Sequence, residues 1–149
     1  MLSDTKNIED NVLEALKNDN TLAGYVRSFT KGDIHFSGKL FPFVMLGEVT
    51  YREGRLLASG GTLIYTVKVY GGTRSLAPGV AYGGIPPDKK GVAELCNDIV
   101  NVIRNNNFSG AFVKPVADIK VKPSEMSDSA ETICISEIVF DAEVWFKYR

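Results

Sequence analysis

The chain reads as an α+β protein, with a mixed or antiparallel sheet of about four to five strands and two main helices packed on one face. Three observations predict this. Two segments carry apolar residues at helical spacing, around Val12–Leu16 and Leu95–Ile103. At least two others alternate strictly, Thr62–Tyr70 and Ala142–Tyr148. The order is helix, strands, helix, strands, which suits helices laid on a sheet better than alternating βαβ units. With 149 residues the chain has the size of one domain, here residues 1–149, and contains no internal repeat.

The first helix is expected to be capped at Ser3 or Asp4, with Ile8, Val12, Leu13 and Leu16 forming one apolar stripe. A second short helical turn is predicted over Leu22–Phe29. A weak strand signal follows at Ile34–Phe36. Pro42–Arg52 begins with proline, which suits the first residue of a strand, and turns from apolar on both faces to alternating. Its link to the next strand, Glu53–Gly61, is read as a long hairpin tip. In Thr62–Tyr70, Leu63, Tyr65, Val67 and Val69 point one way and Ile64, Thr66, Lys68 and Tyr70 the other. Residues 71–91 then hold six glycines and three prolines and are read as an irregular excursion. Leu76, Val80, Tyr82 and Ile85 are embedded in it, more apolar groups than a solvated linker carries.

Asp88 is the expected cap of the second main helix, with Lys89 and Lys90 in its first turn. Val92, Leu95, Cys96, Ile99, Val102 and Ile103 form a broad apolar face there. Asn105–Asn107 and Gly110 end the helix. Val113–Lys122 alternates in part, and Pro123–Ala130 reads as a loop. Thr132–Tyr148 is a long strand. Ala142, Val144, Phe146 and Tyr148 share one face, Glu143, Trp145 and Lys147 the other. A change of phase near Asp141 predicts a bulge there.

The chemistry-bearing residues are sparse. The net charge is -1 at pH 7, with 17 basic and 18 acidic residues, so no basic excess points to phosphate binding. His35 is the only histidine and has no motif partner for acid–base work. Cys96 and Cys134 lie in apolar segments and read as two buried, reduced thiols. Glu125, Asp128 and Glu131 cluster in a loop without calcium-loop spacing. Gly71-Gly72 follows a strand but lacks the Gly-x-Gly-x-x-Gly continuation, and no phosphate loop or nucleophile elbow is present. Tyr65, Tyr70, Trp145, Phe146 and Tyr148 could form a stacking platform, but the near-neutral net charge and the alternation of faces make core or interface the better reading. No catalytic residue, metal site or cofactor is expected, and the protein is not expected to be an enzyme. The polar, acid-containing Met1–Asp10 lacks the form of a signal peptide, and no stretch has the length of a membrane span, so synthesis in a cytoplasm is expected.

The whole arrangement resembles the tail terminator proteins of long-tailed phages and the related tail-completion and neck proteins. The likeness rests on the opening helix with Val12, Leu13 and Leu16 and on the strand opening Phe41-Pro42-Phe43-Val44-Met45-Leu46. It continues in Tyr65-Thr66-Val67-Lys68-Val69-Tyr70, followed by the excursion and the helix with Leu95, Ile99 and Ile103. It closes on Ala142-Glu143-Val144-Trp145-Phe146-Lys147-Tyr148. The resemblance implies a structural subunit of the virion that forms a homo-oligomeric ring, usually hexameric, and caps the tail tube. It implies the tail tube protein, a neck or head-completion protein and the sheath protein as partners, DNA passing only through the lumen, and no membrane. The excursion is longer than this family's pattern. Its residues Leu76, Val80, Tyr82 and Ile85, with Arg74, Lys89 and Lys90, are the expected interface. The alternatives are another head–tail connector, or an α+β module that binds a small molecule or peptide under the loop.

Overall fold

The structure is a computed structural model, which describes residues 2–31, 41–75, 91–105, 112–113, 118–124 and 132–147. Helix α1 spans Leu2–Asn18 and α2 Asn20–Ala23. Strands β1 (Ser28–Lys31), β2 (Phe43–Leu57) and β3 (Gly60–Ser75) follow, then α3 (Val92–Arg104). The chain continues through β4 (Phe112–Val113), β5 (Asp118–Ser124) and β6 (Thr132–Lys147). The six strands form one mixed sheet in the order β1-β2-β3-β6-β4, with β5 also on β6. Among the described residues only the β1–β2 pair is parallel. The predicted α+β class holds, with one strand more than expected.

Helices α1 and α3 cover one face of this sheet. Ile8, Val12 and Leu16 of α1 and Leu95, Ile99 and Ile103 of α3 join Leu63, Tyr65, Val67 and Val69 of β3 and Ile138, Phe140 and Ala142 of β6 in one core. The register explains the pairing: Tyr65 lies opposite Ala142, Val67 opposite Phe140 and Val69 opposite Ile138, so all point to the same side. Leu13 is only partly buried against this core, while Leu16, Val67, Val69, Leu95, Ile99 and Ile103 are all fully buried.

Several boundaries differ from expectation. Helix α1 is already running at Leu2, ahead of the expected Ser3 or Asp4 cap. The predicted turn over Leu22–Phe29 splits, because Asp19 caps a single turn by accepting from the Leu22 N–H at 3.0 Å, and Phe29 belongs to β1. The chain then locks to the sheet through Arg27 N–H donating to Pro42 C=O at 2.8 Å, across the Phe41–Pro42 peptide, which is cis. The β2–β3 link is not a long tip: Leu57 pairs with Gly60 across a two-residue turn. The strands reach that far because β2 absorbs two bulges, where Gly47-Glu48 and Gly54-Arg55 each oppose one residue of β3. Gly54 fits its bulge because a Cβ there would strike the Thr62 hydroxyl, which accepts from Arg55 N–H at 2.8 Å.

Gly71 and Gly72 lie inside β3 and do not open the excursion. A Cβ on Gly71 would meet Ile99 Cδ1 at 2.9 Å and Leu95 Cδ2 at 3.0 Å, so the missing side chain lets α3 approach the strand. Helix α3 starts at Val92 with Gly91 at its N-cap, later than the expected start at Asp88–Lys89. The region expected to be one strand over Val113–Lys122 is two, β4 and β5, and Pro123 lies within β5. No bulge occurs at Asp141: β3 and β6 pair without a register break from Gly60–Lys147 to Ser75–Thr132. The apparent phase change arises because Ile135 and Val139, on the opposite face from the core, are apolar too.

Candidate functional site

The sheet carries three different surfaces along its length, the first two on the face turned away from the helices. At one end Phe43 and Met45 are fully buried. Phe41 packs edge-on against Phe43, with ring centroids 5.1 Å apart, and the Arg74 guanidinium lies 4.9 Å from the Phe41 centroid. Arg74, an expected interface residue, is exposed and rests on this ring, a cation–π contact that orients it along the strand end.

The middle of that face is polar. Arg52 of β2 donates to Asp141 of β6 at 3.1 Å and to the Thr66 hydroxyl of β3 at 3.2 Å, and Thr66 donates to Asp141 at 2.7 Å. Three strands are thereby tied by side chains in a row. Nearby, burial first and then a hydrogen bond to Glu137 push the Tyr70 hydroxyl above its ordinary range, so it stays protonated. These groups bond to one another and form a hydrogen-bonded surface.

The third surface is the hairpin end. Leu56 (60% exposed), Leu57 (53%) and Trp145 (56%) are large apolar side chains left in solvent there, and Tyr51 (50%) stands exposed farther back, at the level of Tyr65. Register puts them on both faces. Tyr51 opposes Tyr65 and Leu56 opposes Gly61, on the helix side; Leu57 opposes Gly60 and Trp145 opposes Thr62, on the other. Tyr51 is held by a tilted contact with Tyr65, with centroids 5.9 Å apart. Positions beside a turn are ordinarily polar, so large apolar side chains exposed there mark a candidate interaction surface.

On the helix layer, Asp19, Thr21, Asp98, Asn101, Val102 and Asn105 line an open cavity of about 120 Å³. Tyr25 donates to Asp98 at 2.5 Å beside it. That volume is well below the roughly 300–1,000 Å³ of ordinary small-molecule pockets. Cys96 and Cys134 are both buried, and burial raises both thiols. Cys96 and Ser136 are hydrogen-bonded, and the Ser136 hydroxyl donates to Gly71 C=O at 3.3 Å. Among the described residues no three His, Cys, Asp or Glu side chains group as metal ligands, and no helix is long and apolar enough to cross a membrane. Leu76, Val80, Tyr82, Ile85, Lys89 and Lys90 lie outside the described residues, as do His35 and the Glu125, Asp128 and Glu131 cluster.

Of the expected interface set, the structure therefore places only Arg74. The hairpin-end cluster escaped sequence reasoning, although Arg55-Leu56-Leu57-Ala58 did offer a signal in its adjacent leucines next to a turn. No family model matches the chain, and no curated protein matches it.

Proposed function

We propose that this chain is a structural subunit of a phage tail, a terminator that assembles into a ring, caps the tail tube and joins it to the neck or head. One observation carries the reading beyond the resemblance in element order. Large apolar side chains stand exposed on both faces of one end of the sheet, where a lone monomer gains nothing from them. A subunit that inserts this end between neighbours buries both faces at once. The ring would place its docking faces toward the tail tube protein on one side and the neck or head-completion protein on the other. The virion would be its final location.

The test is assembly. Purified chain added to polymerising tail tube protein should shorten the tubes and appear at one end of each by electron microscopy, and its solution mass should be a small multiple of the subunit mass. Tubes of unchanged length with no end-bound protein would refute the reading.

A further inference from the structure

We draw no further inference here: the strongest candidate, the exposed apolar patch of Leu56, Leu57 and Trp145 at the hairpin end of the sheet, belongs to the surface already described, and nothing in the structure shows what covers it.

Discussion

Replacing Gly72 with alanine tests how closely β2 and β3 pack at the end where Phe43 is buried. Gly72 lies directly opposite Phe43, and a Cβ added to it would stand 2.5 Å from Phe43 Cζ and 2.9 Å from Cδ1. Real Cβ atoms do not approach that closely, so the ring or the strand must move. The ring is fully buried and has little room to turn. Overpacking of this kind costs about 1–3 kcal/mol. Alanine also stabilises by restricting the unfolded chain, by about 0.4–1 kcal/mol. The steric cost is the larger, which leaves a net loss of roughly 1–2 kcal/mol. With a urea m-value of about 2 kcal/mol/M, the unfolding midpoint should fall by roughly 0.5–1 M. Shrinking the ring with Phe43→Leu should cost less in the Gly72→Ala background than in the parent, a coupling within the usual range of about 0.5–3 kcal/mol for touching residues. A Gly72→Ala midpoint equal to or above that of the parent, at unchanged m, would mean that Phe43 does not lie over this glycine.

Ile99→Ala removes a fully buried side chain between α3 and the sheet and should cost about 2–5 kcal/mol in urea unfolding; an unmoved midpoint would rule out that packing. The Tyr25 hydroxyl is held well above its ordinary range by burial first, then by its hydrogen bond to Asp98 and by nearby carboxylates. Its folded pKa is raised, so the unfolded chain loses this proton first. The stabilisation is complete below about pH 10 and is lost as pH rises above it. Tyr25→Phe should therefore be less stable by about 1 kcal/mol at neutral pH and decline less steeply than the parent between pH 10 and 12; parallel declines would refute the assignment. The Cys96 and Cys134 thiols, buried and with raised pKa, should resist a thiol-specific reagent at pH 8 until urea unfolds the chain; prompt labelling of either would contradict their burial.

The elements legible in the sequence are those whose residues see one environment along their whole length. Helices α1 and α3 each bury a single stripe, so the 3.6-residue period survives in Val12–Leu16 and in Leu95–Ile103. The core side of β3 alternates cleanly because Leu63, Tyr65, Val67 and Val69 all face the one core that β3 shares with the helices. Failures came where a second surface intervened. In β6 the face away from the helices carries Ile135 and Val139, so a continuous strand looked like one with a slip at Asp141. In β2 two bulges break the alternation, so a fifteen-residue strand looked eleven residues long, ending at Arg52. Gly71 and Gly72 looked like the end of β3 because glycine weakens a strand when nothing approaches it. Here Leu95 and Ile99 approach one and Phe43 the other, and the glycines are what the contact requires. The exposed apolar residues of β2 and β6 resisted reading for the same physical reason. A leucine in a sequence implies burial but not by whom, and the distinction between a neighbour in the same chain and one in another copy appears only when exposure, face and register are known together. Tyr51, Leu56, Leu57 and Trp145 satisfy the rules of a core within one chain by composition, and break them by position. That contradiction is resolved if their core is completed by the next subunit.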